Sequence, residues 1–295
     1  MPKKNQETEY TEETTSRFVQ TEKWRLHYNE AGEGHPLIML HGIGPGATGW
    51  SNFNQNLKGL AEDFRVILLD FPGWGKSDTI IASDKSRNAI NCEAVELLMN
   101  ALEIDTAALV GNSMGGAAVL EAMLAYPDRI SHAVTMGSGI WKLPKIFAPE
   151  GYSEGIRIIW ETYADPSPDN FRRLVEIMVY DSSFVSDELI NQRSEAALAN
   201  QVHLDNCIES PVGYEEGGPY AGVYEMLDKL SCSQVPTLMI HGRDDRVVPM
   251  EYTLQASALI KNSRAVILNQ CGHWAQLEHA AEFNQLVRGF LASSR

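Results

Sequence analysis

The chain has 295 residues, 44% of them hydrophobic and 21% charged, and its 24 basic against 39 acidic side chains leave a net charge of −15. Such a chain buries a large core and fits one domain carrying an insertion, while its charge repels nucleic acid and anionic membranes and argues against both as partners. A small anionic substrate stays compatible with that charge on one condition: a local cation in the pocket must overcome the field of the whole protein.

Residues 1–16 are polar and hold four Glu with few apolar side chains, which reads as a flexible polar tail. No signal-peptide run follows Lys3-Lys4 and no stretch of about 18 apolar residues occurs, so no membrane span is expected. Cys92, Cys207, Cys232 and Cys271 show neither Cys-x-x-Cys nor a metal-site spacing. Free thiols in a reducing cytoplasm, with no metal, are the expectation. Over 17–31, alternation around Phe18-Val19-Gln20 and Trp24-Arg25-Leu26-His27-Tyr28 predicts an antiparallel hairpin. Leu37-Ile38-Met39-Leu40 is a buried strand running into His41-Gly42-Ile43-Gly44-Pro45-Gly46; a helix over 50–60, a strand over 64–70 and a helix over 88–102 follow. After a strand over 130–136 the alternation stops, and 152–164, 169–180 and 186–199 read as amphipathic helices. Strands return at 237–241 and 265–268, each followed by a helix. Strands alternating with helices at this pitch predict an α/β fold, a mostly parallel, doubly wound sheet covered on both faces. The helical block reads as a lid spliced into it: core at 17–145 and 213–295, lid at 146–212.

The chemistry concentrates after the strand at 106–111. There Gly111-Asn112-Ser113-Met114-Gly115 has the Gly-x-Ser-x-Gly pattern, continued by the helix formers Ala117-Ala118-Val119-Leu120. Strand, sharp turn and helix are the grammar of a nucleophile elbow. A serine needs a base to take its proton and a carboxylate to orient that base, and on such a sheet they follow the serine in the order acid, then histidine. The chain offers Asp244-Asp245 after the strand at 237–241 and His273, in Cys271-Gly272-His273-Trp274, after the last strand. Spacing does not choose between the two aspartates. Surface histidines such as His27, His35 and His279 read as solvated or locally hydrogen-bonded groups. Oxyanion donors are expected from the backbone N–H of Met114 and of Ile43, with Gly42 and Gly44 flanking the latter in the substrate wall. Gly44-Pro45-Gly46-Ala47-Thr48-Gly49 with Asp70 imitates a dinucleotide fingerprint, and Gly75-Lys76-Ser77 a phosphate loop, but neither explains the Ser–Asp–His order.

Further pieces carry a likeness: Trp50-Ser51-Asn52-Phe53, Asn112-Ser113-Met114-Gly115-Gly116, Phe147-Ala148-Pro149, Val179-Tyr180-Asp181, Gln192-Arg193, Gly242-Arg243-Asp244-Asp245-Arg246 and Cys271-Gly272-His273-Trp274-Ala275-Gln276. With the loop at 41–46 they resemble the α/β-hydrolase fold and, more closely, the meta-cleavage product hydrolases, carbon–carbon bond hydrolases of aromatic degradation. Two positions depart from that family's pattern: Ile43 stands where Gly is usual, and Ser138-Gly139-Ile140 where Pro-Gly-Gly is usual. The resemblance implies an eight-stranded sheet, a Ser113–Asp245–His273 triad, and Arg193 on the lid as the cation for a substrate carboxylate, helped by Asn52, Asn112 and Trp274. It implies no cofactor and a homo-oligomer. The expected reaction is hydrolysis of the C5–C6 bond of a 2-hydroxy-6-oxohexa-2,4-dienoate after ketonisation of the dienol. A serine carboxylesterase would need the triad without Arg193, and a ligand sensor would keep the pocket without turnover.

Overall fold

The computed structural model describes residues 10–80, 85–140, 143–209 and 223–293; the tail expected at 1–9 and the core boundary expected at 212/213 lie outside them. In chain order, α1 (Glu12–Thr15), β1 (Ser16–Gln20), β2 (Arg25–Ala31) and β3 (His35–Leu40) lead into α2 (Gly49–Leu60), β4 (Phe64–Leu69) and α3 (Arg87–Ala101). Then come β5 (Ala107–Asn112), α4 (Met114–Ala125) and β6 (Ile130–Met136). Four helices follow: α5 (Glu154–Ala164), α6 (Pro168–Met178), α7 (Asp187–Leu198) and α8 (Gln201–Glu209). The chain closes with α9 (Val223–Cys232), β7 (Thr237–Gly242), α10 (Glu251–Leu259), β8 (Ser263–Leu268), α11 (Ala275–Glu278) and α12 (Ala280–Ser293). Residues 11–16, expected as tail, are ordered by a capping box between Thr11 and Thr14, with Thr15 only 2% exposed.

One sheet of eight strands has the order β1-β2-β4-β3-β5-β6-β7-β8. The predicted hairpin pairs β1 with β2 antiparallel, β2 also runs antiparallel to β4, and every later pairing is parallel. Both faces are covered, as the uninterrupted apolar strands require. Leu37 and Met39 of β3 join Phe53 and Leu57 of α2 and Phe283 and Val287 of α12 on one face. Ile38 and Leu40 turn to the other, with Val95 and Leu98 of α3 and Val119 of α4. That second cluster continues without a break into Ile159, Phe171, Leu174, Met178 and Ile190, so the helices between β6 and β7 share the core of the sheet.

Asp70, the acid of the imitation dinucleotide fingerprint, is spent on the fold. Its carboxylate, 1% exposed, accepts from Gly49 N at the start of α2 (2.8 Å) and from Lys76 N (3.1 Å), and lies 2.7 Å from His27 Nδ1. His27 in turn reaches Ser16 Oγ at 2.9 Å, so this histidine is buried (1% exposed) and ties β1 and β2 to β4 instead of lying at the surface.

The parallel strands send the loops after β3, β5, β7 and β8 to one end of the sheet, where ligands bind in such folds. Close approach there depends on Gly115: a β-carbon at this position would sit 2.1 Å from Leu40 O. Because backbone cannot yield as a side chain can, we expect Gly115→Ala to destabilise the protein by about 3 kcal/mol, at the upper end of overpacking costs. Urea unfolding measures it; an unchanged midpoint contradicts this packing.

Candidate active site

Ser113 takes φ +52° and ψ −114° between β5 and α4. A side chain rarely adopts positive φ, at a cost of about 1–3 kcal/mol. The sheet holds the strain: Ser113 N donates to Met136 O (2.8 Å), and the approach of Gly111 to Gly115 leaves no room for a β-carbon. The turn leaves Met114 N at the first position of α4, where helical amides lack intrahelical partners.

The loop after β3 is fixed from both sides. Phe71 N donates to His41 Nε2 (3.1 Å), so His41 Nδ1 carries the proton and donates to Gly42 O (2.8 Å). Pinning the Gly42 carbonyl fixes the peptide plane that also carries the Ile43 N–H, which points the opposite way. Gly42 N donates to Asn52 Oδ1 (3.2 Å), and Trp74 Nε1 donates to Gly44 O (3.2 Å). Among the described residues, the N–H groups of Ile43 and Met114 have no partner. Two unpaired donors beside a serine form an oxyanion-hole arrangement.

Asp245 and His273 meet from the loops after β7 and β8, with Asp245 Oδ2 at 2.7 Å from His273 Nδ1 and the Asp245 side chain 1% exposed. Its Oδ1 accepts from Val247 N (2.7 Å) and Val248 N (2.9 Å). Asp244, the alternative acid, is 30% exposed beside Arg243 at 3.6 Å. Burial alone would raise the Asp245 pKa, but His273 and His241 hold its carboxyl well below the usual carboxylate range. A depressed folded pKa means that the pairing stabilises the fold above the unfolded carboxyl pKa and is lost only as pH falls through the lower folded value. His241 was not anticipated. It lies at the end of β7, as His41 follows β3, with Nε2 at 3.3 Å from Asp245 Oδ2 and 3.0 Å from Val248 O. Its Nδ1 is 2.8 Å from Thr253 Oγ1, whose own proton goes to Ser138 O. The common position, a His closing a strand before Gly, was the available signal.

Ser113 joins this pair through its neighbour: Asn112 Nδ2 reaches His273 O and Met136 O, both at 3.4 Å. The Ser113 hydroxyl makes no hydrogen bond with His273, a contact that in many hydrolases tightens only once substrate is bound. Ile43, Gly44, Asn52, Asn112, Arg193, His273 and Trp274 line one cavity of about 20 Å³ with Leu174 and Met178. Gly42 stands behind it, against Asn112 and Ser113. Asn52 spends its amide within the chain, on Gly42 N and Thr48 O.

Arg193 of α7 is 8% exposed and stacks on Trp274, its guanidinium carbon 4.6 Å from the ring centroid. It donates to Ser51 O at 3.4 Å, while its buried Nε has no partner and no carboxylate pairs with it among the described residues. Burial lowers its pKa to about 10, which leaves it charged at neutral pH.

The end of α6 and the residues after it are tied to the loop after β8 beside His273. Met178 O, ending α6, accepts from His273 N (2.7 Å) and Trp274 N (3.2 Å). Glu278 accepts from Gly272 N (2.6 Å) on one oxygen and from Tyr180 N (2.7 Å) and Asp181 N (3.0 Å) on the other. We expect Glu278→Gln, which replaces one acceptor by a donor, to cost about 1.5–3 kcal/mol of stability. It should also slow covalent labelling of Ser113 by an aryl phosphonate on the order of 10²-fold, because the imidazole loses its setting. An unchanged labelling rate refutes the coupling.

The family described as the alpha/beta hydrolase fold matches residues 35–280. The 2-hydroxy-6-oxononadienedioate/2-hydroxy-6-oxononatrienedioate hydrolase of Paraburkholderia xenovorans (strain LB400) is 41% identical over 292 residues, covering 96% of this chain and 97% of the relative. The 2-hydroxy-6-oxo-6-phenylhexa-2,4-dienoate hydrolase of Comamonas testosteroni is 41% identical over 290 residues, covering 96% and 99%. Among solved structures, a meta-cleavage product hydrolase from Pseudomonas fluorescens IP01, complexed with acetates, superposes with TM-score 0.82 at 29% identity, covering 95% of this chain and 98% of that one. The chain belongs to the α/β-hydrolase fold family and, within it, to the meta-cleavage product hydrolases.

Proposed function

We propose that this enzyme hydrolyses the C5–C6 bond of a 2-hydroxy-6-oxohexa-2,4-dienoate, a ring-opened product of aromatic degradation. One observation carries the reading: a buried guanidinium with an unpartnered Nε and no carboxylate of its own opens into the cavity that holds His273. Burying an unpaired charge is costly, and a bound carboxylate, held bidentately by the planar fork, removes that cost. The name of the Comamonas relative describes the same substrate skeleton with a phenyl group.

In this reading the substrate carboxylate lies on Arg193, near Asn52, Asn112 and Trp274, and its C6 carbonyl oxygen lies between the Ile43 and Met114 N–H groups. A carbon leaving group departs poorly from a dienol, so a proton first moves from the 2-hydroxyl side to C5, with His273 handling it. Ser113, or a water that it positions, then adds to C6, and the developing oxyanion is met by the two amides. The C5–C6 bond breaks as its electrons return to the ketone; water supplies OH to the carboxylic acid and H to the 2-hydroxypentadienoate. No cofactor enters the reading. Among the described residues, no group of three or more His, Cys, Asp or Glu could hold a metal ion.

Residues 146–212 act as the lid and 17–145 with 213–295 as the core. Among the described residues the cavity of about 20 Å³ has room for about one water, and the reading includes an opening of the lid to admit a dienoate. The four free cysteines suit a reducing cytoplasm, and no described helix is long and apolar enough to cross a membrane. Assembly into a homo-oligomer completes the reading on the family likeness alone.

Loss of dienolate absorbance and hydrolysis of a simple aryl ester, followed side by side, test it. Ser113→Ala should abolish both. Arg193→Gln should lower kcat/KM for the dienoate about 10²-fold, the scale of losing a buried charge-assisted pair, and leave the ester within about threefold. Because Arg193 loses its proton as pH rises through about 10, dienoate kcat/KM should fall above that pH and the variant should lack this limb. Ester hydrolysis indifferent to Arg193 with no dienolate bleaching would identify a carboxylesterase instead.

A further inference from the structure

Asp245 is a buried carboxylate beside a base. To take the proton of Ser113, His273 must be unprotonated in the resting enzyme, and a neutral imidazole leaves the Asp245 charge, 1% exposed, without a compensating cation. The carboxylate meets His273 on Oδ2 and the amides of Val247 and Val248 on Oδ1. His241 is the remaining neighbour, its Nε2 3.3 Å from the same Oδ2. Arg246, next in the chain, is turned away and donates to Glu176 O.

The hydrogen bonds of His241 fix its protons. Val248 O, 3.0 Å from Nε2, can only accept, so Nε2 carries a hydrogen. Thr253 Oγ1, 2.8 Å from Nδ1, gives its single proton to Ser138 O at 2.7 Å; it meets Nδ1 with a lone pair, and Nδ1 carries a hydrogen as well. His241, Thr253 and Ser138 are each 0% exposed, so bulk solvent offers no alternative partner. His41 and His27, also buried, are not constrained in this way. Nε2 of the first accepts from Phe71 N, and Nε2 of the second meets the Ser16 hydroxyl, which can give or take a proton.

From this we infer that His241 is an imidazolium in the resting enzyme, a positioning residue that neutralises Asp245 from behind and lets His273 stay in its basic form. The inference rests on the reading in which His273 handles the protons, and adds a residue that acts on it through Asp245. Facing His241 are Asp245 and, across it, His273. Asp244 lies beside Arg243, Cys271 Sγ reaches Gly272 O, and Glu251 of α10 accepts from the amides of Ile146, Phe147 and Ala148, while residues 137–140 carry no ionisable side chain. Without the countercharge, Asp245 would hold a proton on His273 more strongly, and the base would be lost at higher pH.

Two measurements on the full chain test the inference. In a long-range proton–nitrogen NMR spectrum of the native protein near neutral pH, both ring nitrogens of His241 should carry protons; one bare nitrogen overturns it. The pH dependence of Ser113 labelling by an aryl phosphonate supplies the second. His241→Gln should move the acid limb of that rate upward by about one pH unit, the scale of one charge removed from within about 6 Å. Thr253→Val, which takes away the acceptor of Nδ1, should move the limb in the same direction, and Thr253→Ser, which keeps it, should restore the native limb. Labelling that falls alike at every pH in His241→Gln and Thr253→Val, with the limb unmoved, marks a merely structural role and overturns the inference. Should His241→Gln not fold, the native spectrum and the two Thr253 variants decide. A native chain whose Ser113 is not labelled at any pH would instead overturn the hydrolase reading beneath, and the spectrum still decides the protons of His241.

Discussion

The contact on which this architecture turns is the approach of backbone to backbone at the C-terminal end of β3 and β5. Gly115 lies so near Leu40 O, and Gly111 so near Gly115, that neither tolerates a side chain. That approach lets α4 start immediately after β5 and forces Ser113 to φ +52°. The same few peptide groups leave Met114 N without a partner and bring the loop carrying Ile43 N alongside Ser113. The strained serine and the two unpartnered amides beside it are thus consequences of one packing constraint, and the strain at Ser113 is sustained by the parallel sheet on either side.

The helices between β6 and β7 belong to this arrangement. α6 delivers Met178 O to the amides of His273 and Trp274, and Glu278 joins the chain after α6 to Gly272. α7 brings Arg193 onto Trp274 and lies against Gly46, where an added β-carbon would be 3.0 Å from Ala197 N. α8 packs His203 on Trp74, ring centroids 4.5 Å apart, and Trp74 holds Gly44 O. Burial lowers the His203 pKa to about 3, so that contact is between neutral rings near pH 7. α6, α7 and α8 therefore each touch a different group around Ser113, and a displacement of these helices would alter the His273 loop, Arg193 and the loop after β3 together.

Much of the fold was readable from the sequence because its signals are local. Uninterrupted apolar strands between amphipathic helices indicate a covered parallel sheet, and the Gly-x-Ser-x-Gly turn marks where it changes direction. The order of serine, acid and histidine followed from the same pattern. The choice between Asp244 and Asp245 did not, because it depends on which carboxylate the β7 loop turns inward; family likeness pointed to Asp245, and the structure buries it against His273. His241, Glu278 and the His27–Asp70 pair escaped sequence reasoning for a related reason. Asp70 lies 43 residues from His27 and Glu278 reaches Tyr180 98 positions earlier, while His241 bonds within twelve residues but only once the loop after β7 turns Asp245 inward. The order at residues 11–16 was missed because a polar capping box resembles a polar tail in composition.

The proposed reaction turns on where one carboxylate and one carbonyl lie. A crystal structure of Ser113→Ala with a bound 6-oxo dienoate measures both. We expect two carboxylate oxygens within about 3 Å of the Arg193 guanidinium and the C6 carbonyl oxygen within about 3.1 Å of Ile43 N and Met114 N. A substrate bound with its carboxylate away from Arg193, or with its carbonyl turned from both amides, would contradict the account.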